Sequence, residues 1–149
     1  MDSIEVVEAQ LADEPIVRQL LELYLHDFSE FNDADVDAQG LYRYPYLNLY
    51  WTEPDRHPFL FRVGGQWAGF ALVRAGAPHD MAEFFVLRKY RRGGVGGAAA
   101  RNVFARFPGE WQVRQVATNP NATEFWRRAI PYEFTQETMN GGPVQRFVV

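Results

Sequence analysis

Apolar and polar positions along the chain change period several times, and each change marks an element. Ile4–Glu8 alternates as an opening strand does. Asp13, Glu14 and Pro15 then read as a helix start, with a capping acid and an early proline. Ile16, Leu20, Leu23, Asp27 and Phe31 follow at helical spacing, flanked by Leu21, Tyr24 and Phe28, which predicts a helix to about Ser29. Residues 41–51 read as a loop with a short helix, dense in tyrosine. Phe59, Phe61 and Val63 alternate, Gly64-Gly65 turns, and residues 67–74 return, which is the signature of a β-hairpin. Residues 81–87 extend that group as a third strand. A helix over 94–107, a strand over 111–117 and a helix over 121–129 stopped by Pro131 follow. Two last strands, 132–138 and 144–149, flank Gly141-Gly142-Pro143.

The order βααβββαβαββ predicts a mixed α/β fold of the α+β type. Its central sheet is mostly antiparallel, with helices on both faces. A length of 149 residues fits a single domain, 1–149. A hydrophobic content of 47% and 15% aromatics exclude a disordered chain. There is no cysteine, which excludes disulfides and thiolate chemistry and fits a cytoplasmic setting. The start Met1-Asp2-Ser3-Ile4-Glu5 has neither the basic nor the apolar region of a signal peptide. No apolar run is long enough to span a bilayer, so no membrane partner is expected. A net charge of −4 argues against nucleic acid as a partner. His26, His57 and His79 show no metal-ligand spacing, and no metal is expected.

The segment from Phe84 to Ala98 carries the clearest chemistry. An apolar strand runs into a basic, glycine-rich turn, Arg91-Arg92-Gly93-Gly94-Val95-Gly96-Gly97, with a helix directly behind it. The first amides of a helix lack internal partners, and the helix dipole adds positive potential there. Such a turn is an anion site, and the arginines add full charges. A plain strand-to-helix turn with a solvated basic patch explains the same residues. A P-loop is excluded, because Gly-Lys-Ser/Thr is absent. A dinucleotide fingerprint should follow a first strand, whereas this segment lies after a hairpin.

Arg91-x-x-Gly94-x-Gly96 resembles the Gln/Arg-x-x-Gly-x-Gly/Ala signature of the GNAT N-acetyltransferase superfamily, with Val86 at the pattern's strand end. The order of the surrounding elements is similar as well. The resemblance implies a GNAT-like domain that uses acetyl-CoA as co-substrate. It places the coenzyme's diphosphate on the backbone of Arg92, Gly93, Gly94, Val95, Gly96 and Gly97. It places the pantetheine arm along the backbone of Phe85 and Val86, as an added strand. Asn119-Pro120-Asn121-Ala122 through Trp126 resembles the family's Asn-x-x-Ala-x-x-x-Tyr segment, which implies coenzyme contacts for Asn119 and Trp126. Helix capping explains either asparagine equally simply, and Asn121-x-x-Glu124 has the form of a capping box. Trp126 departs from the family, where a tyrosine hydroxyl often protonates the leaving thiolate; indole cannot serve as that acid. Tyr132, water or unaided thiolate departure would replace it.

Acetyl transfer to an amine needs the ammonium proton removed. The candidate bases are Asp80, six residues before Val86, and Glu83, which strict alternation puts on the opposite face from Val86. Glu83 is favoured, because an idle carboxylate inside an apolar strand would be costly. A solvated acid is the plainer explanation for each. The acceptor is expected at the acidic, tyrosine-rich region, with Asp27, Tyr44, Tyr46 and Trp51 as its candidates. The expected partners are a small cationic amine substrate and a second copy in a homodimer. Two other readings stay open: a non-catalytic acyl-CoA-binding or sensing domain, and an interaction domain presenting its tyrosines.

Overall fold

The alternation at the start becomes the edge strand β1, Ile4–Glu8, in a computed structural model that describes residues 3–149; Met1 and Asp2 lie outside the described residues. Helix α1 spans Glu14–Asn32, three residues beyond the expected end, and stops where Asp33 turns left-handed at φ 58° and donates its N–H to the Ser29 carbonyl. Asp13 does not cap this helix; its carboxylate accepts the Gln10 amide at 2.9 Å instead. The second expected helix reduces to one 3-10 stretch, Leu47–Trp51.

Strands β2, Arg56–Val63, and β3, Gln66–Arg74, form the hairpin. Gly64 and Gly65 both take positive φ, 56° and 80°, as a two-residue turn between twisted strands requires. Strand β4 is His79–Val86, helix α2 Val95–Ala105, strand β5 Glu110–Arg114 and helix α3 Pro120–Ala129. Strands β6, Phe134–Met139, and β7, Gly142–Val148, close the chain. Their turn is Asn140-Gly141, at φ 51° and 84°, so Gly142 and Pro143 belong to β7 rather than to the turn. Strand β5 ends earlier than expected because its rungs with β7 run out at Arg114, opposite Val144.

The sheet has seven strands in the order β1-β2-β3-β4-β5-β7-β6, and every pair is antiparallel except β4 with β5. Helices cover both faces. One core layer joins α2 and α3 to Phe59, Phe61, Val73, Val86, Trp111 and Trp126. The other sets Val17, Leu20 and Leu21 of α1 against Leu60, Phe70, Leu72 and Phe85. Both sheet faces are thus apolar over β2–β4, which is why Phe59-Leu60-Phe61 and Phe70-Ala71-Leu72-Val73 are buried without a break.

Two irregularities position the site. The β3–β4 register passes from Leu72 opposite Glu83 to Val73 opposite Met81, which leaves Ala82 as an extra residue. Side-chain parity reverses across it. Asp80 and Glu83 therefore share the α1 face, whereas uninterrupted alternation had set them on opposite faces. Strand β4 also meets β5 at two rungs only, His79 with Trp111 and Asp80 with Gln112. Beyond Asp80, β4 stays with β3 and β5 stays with β7.

Candidate active site

Residues 81–86 thus have a partner strand on one side and a gap on the other. The Phe85 carbonyl points at β3: a Cβ added to Gly69 would lie 2.1 Å from it. Backbone groups alternate sides along a strand, so Phe84 and Val86 present theirs to the gap and Phe85 does not. This corrects the expected use of the Phe85 backbone. The Val86 carbonyl is already engaged, accepting from Arg91 Nε at 2.7 Å.

The glycine-rich turn closes one end of this gap. Arg92 and Gly94 are left-handed, at φ 66° and 83°, and α2 starts at Val95. The first amide of the helix with an acceptor is that of Ala98, bonded to the Gly94 carbonyl at 3.1 Å. Among the described residues, the amides of residues 92–97 donate to no protein acceptor. The amides at the start of α2 are therefore unpartnered, with open space where a Cβ at Gly93 or Gly94 would sit. Gly96 plays a different part. Its missing side chain faces Phe125, whose ring would stand 2.9 Å from an added Cβ.

The arginines divide. Arg91 Nη2 reaches Asp27 of α1 at 2.7 Å and Arg88 Nη2 reaches the same carboxylate at 3.1 Å. Asp27, expected to meet the acceptor, is instead a brace that ties α1 to the start of the turn. Arg92 has no ion pair among the described residues. Because Arg88 is largely exposed, this brace is weak in water. Asp27→Asn should lower stability by about 1 kcal/mol or less. The loss should shrink in about 1 M salt, and urea melts at low and high salt measure both.

Glu83 lies on the α1 face, where the Tyr24 hydroxyl donates to its Oε1 at 3.3 Å. Burial is the main cause that pushes its carboxyl up to about 7; the Asp80 charge adds to the rise, while the Tyr24 bond and Arg114 pull it down. Burial, then the Glu83 charge, lifts the Tyr24 and Tyr44 hydroxyls well above the usual tyrosine value, so both stay protonated. Asp80 is buried and its Oδ2 accepts from Arg114 Nη2 at 2.8 Å. A buried carboxyl pushed up to about 7, on the same sheet face as an aspartate paired with an arginine, can accept a proton at physiological pH.

Of the other expected residues, Tyr44 feels the Glu83 charge, and exposed Tyr46 sets its ring edge-on to the Tyr44 ring at 6.0 Å. Trp51 is not with them: its Nε1 donates to the Ala9 carbonyl at 3.0 Å and its ring lines a separate shallow groove with Leu11 and Pro15. Asn119 caps α3, accepting the Ala122 amide at 3.2 Å, while Asn121 lies inside the helix and caps nothing. Trp126 is core, packed on Phe84 at 4.9 Å and on Phe104 at 6.1 Å. Tyr132 stacks on Phe147 at 5.7 Å in the α2–α3 layer, on the sheet face opposite Glu83. Sequence reasoning missed Tyr24 and Arg114. Tyr24 carried a legible signal, a hydroxyl on the apolar stripe of α1; Arg114 carried none.

Among the described residues no cluster of three His, Asp or Glu could hold a metal, and no helix is long and apolar enough to cross a membrane. No curated protein sequence matches the chain. Solved structures do, at the level of fold. An acetyltransferase from Thermus thermophilus superposes with a TM-score of 0.73 at 16% identity, over 99% of this chain and 96% of that one. A GNAT family acetyltransferase from Elizabethkingia anophelis, solved with acetyl-CoA bound, gives 0.67 at 13% identity over 100% of both chains. The ribosomal-protein-S18-alanine N-acetyltransferase of Escherichia coli gives 0.67 at 13%, over 97% of this chain and 91% of that one. The family model of the acetyltransferase (GNAT) family matches residues 17–130, which take in α1 from Val17 onward, the β2–β4 meander, the glycine-rich turn and α3, and the chain accordingly belongs to that family.

Proposed function

We propose that the protein transfers an acetyl group from acetyl-CoA to a primary amine that arrives as a cation. One observation carries this reading: a helix mouth with free amides opens at one end of the β4–β5 gap, and Glu83 stands on the strand that walls the gap. The amides of residues 92–97, with Arg92, would take the diphosphate. The Phe84 backbone and the Val86 N–H, which face the gap, would pair with the pantetheine amides. A neighbour solved with acetyl-CoA bound supports the choice of ligand.

An alkyl ammonium has a pKa of about 10.4 and is no nucleophile until it loses a proton. Glu83, deprotonated above about pH 7, takes that proton directly or through one water. The nitrogen lone pair then forms the C–N bond at the thioester carbonyl. An amide on the gap side of β4 stabilises the oxyanion. As the C–S bond breaks, the electron pair leaves with sulfur, and the second ammonium proton goes to solvent. The products are the N-acetyl amine and coenzyme A thiolate. A thiol of pKa about 8.5 leaves without an acid, which suits a chain with Trp126 in the core and Tyr132 on the far face. The acidic, aromatic rim at Tyr44 and Tyr46 fits a cationic acceptor. A cytosolic homodimer completes the reading.

That same absence of a tyrosine acid favours one alternative, an acyl-CoA sensor of the same fold. Calorimetry with acetyl-CoA, followed by a thiol-release assay over a panel of amines, separates the two. Binding with amine-dependent thiol release is expected. Binding without release at any amine leaves the sensor, and no heat at millimolar acetyl-CoA removes both.

A further inference from the structure

On the α1 side of the sheet, Asp80 Oδ1 is buried without a hydrogen-bond partner among the described residues. The Asp80 side chain is 10% exposed. An orphaned buried polar atom costs about 1–3 kcal/mol, so it is kept where something else supplies the partner. Asp80 is close enough to Glu83 for its charge to raise that carboxyl. The bulge at Ala82 is what brings Asp80 onto this face, at the last rung before β4 and β5 part.

The two carboxylates also differ in company. Asp80 is tied through one of its oxygens to Arg114, whose side chain is 56% exposed. Among the described residues, Glu83 has only the neutral Tyr24 hydroxyl as a hydrogen-bond partner. A carboxylate anchored by an arginine through one oxygen, with its other oxygen unpartnered, is a good cradle for an ammonium. We infer that Asp80 is the acceptor's docking carboxylate: its free Oδ1 receives one N–H of the incoming alkylammonium, so that another N–H is offered to Glu83. The inference rests on the proposed transferase reading and divides its two carboxylates by task. It names the acceptor class as amines that are cationic when they bind.

The groups facing Glu83 are Tyr24 from α1, Tyr44 and Tyr50 from the connecting segment, Asp80 from β4 and Arg114 from β5. Arg56 of β2 stands over the Tyr50 ring at 5.4 Å. Removing the Asp80 charge lowers the Glu83 midpoint; removing Arg114 raises it. The test uses whichever of butylamine, phenethylamine, 1,4-diaminobutane, alanine amide and lysine methyl ester turns over fastest with the wild-type protein. Asp80→Asn should raise KM for that amine about tenfold or more, leave acetyl-CoA affinity by calorimetry unchanged, and shift the acid limb of kcat to lower pH. Arg114→Gln tests the same idea with the opposite sign. It frees Asp80 of its competing cation, so the amine KM should fall about threefold and the acid limb should move up. A merely structural ion pair predicts a higher KM, or an unchanged one, in both variants, and that result would overturn the inference. A wild-type protein that binds acetyl-CoA but releases no thiol with any amine overturns the transferase reading, and this inference with it. A wild-type protein that is active while both variants keep its amine KM removes this inference alone.

Discussion

Glu83→Gln should lower kcat about a hundredfold or more and abolish the acid limb of the rate profile, while the protein becomes more stable above neutral pH. The kinetic part follows from where the proton goes. A carboxyl at about 7 is half ionised near neutrality, so the wild-type kcat should rise through pH 7 and level off as Glu83 empties. Glutamine keeps the volume and can still accept the Tyr24 hydroxyl, but it takes no proton. The residual rate should then lack a midpoint near 7.

The stability part follows from the same burial. Glu83 titrates at about 7 when folded against 4.5 for the free side chain, so its folded value is raised. A raised carboxyl carries no penalty below its unfolded value, where both states are protonated. As pH climbs from 4.5 to 7 the unfolded chain ionises first, and stability falls. Above 7 the loss is complete, at about 3 kcal/mol for a shift of this size. The Gln variant never carries that charge. Urea melts should find it equal to wild type at pH 4 and more stable by up to about 3 kcal/mol at pH 8. A variant that keeps wild-type kcat would show that Glu83 is not the base, and one that gains nothing at pH 8 would show that it is not a strained charge.

Much of this site could be read from residue order, and what escaped did so for identifiable reasons. The turn from Arg91 to Gly97 announces itself because all its parts are local: strand, cations, glycines and helix adjoin in sequence. The Gly64-Gly65 hairpin is legible for the same reason, and so is the span of β1. The Asn140-Gly141 turn carried an equally local signal, although the neighbouring Gly142-Pro143 drew the turn two residues too late. The placement of Asp80 was not legible. A single extra residue at Ala82 reverses the face of everything before it, and that bulge is set by the pairing with β3, not by any residue in β4. Asp27 escaped because its partners, Arg88 and Arg91, lie 61 and 64 positions away. An acid among other acids reads as a cation site until the fold brings arginines to it.

The glycines of the mouth offer the other large effect, because two that look alike do different things. Gly94 sits at φ 83°, a conformation that costs a side-chain-bearing residue about 1–2 kcal/mol, and nothing lies within 4 Å of where its Cβ would be. Gly96 has no such backbone demand. Its Cβ would stand 2.9 and 3.1 Å from the Phe125 ring and 3.5 Å from Val86 Cγ2, so α2, α3 and β4 converge on the hydrogen atom that glycine offers. Gly96→Val fills that contact with three carbons. Either Phe125 leaves the core layer or the first turn of α2 lifts away from β4, and overpacking of this kind costs about 1–3 kcal/mol. Lifting the turn also moves the free amides of residues 92–97 relative to the β4–β5 gap. Gly96→Val is therefore expected to lose about 2 kcal/mol in urea melts and to raise KM for acetyl-CoA about tenfold or more. Gly93→Ala, where a Cβ meets open space, should change neither. If the valine variant binds acetyl-CoA as tightly as wild type, the mouth is not held in place by the packing beneath it. If the alanine at position 93 is the damaging one, the approach of ligand to backbone matters more than the convergence of α2, α3 and β4.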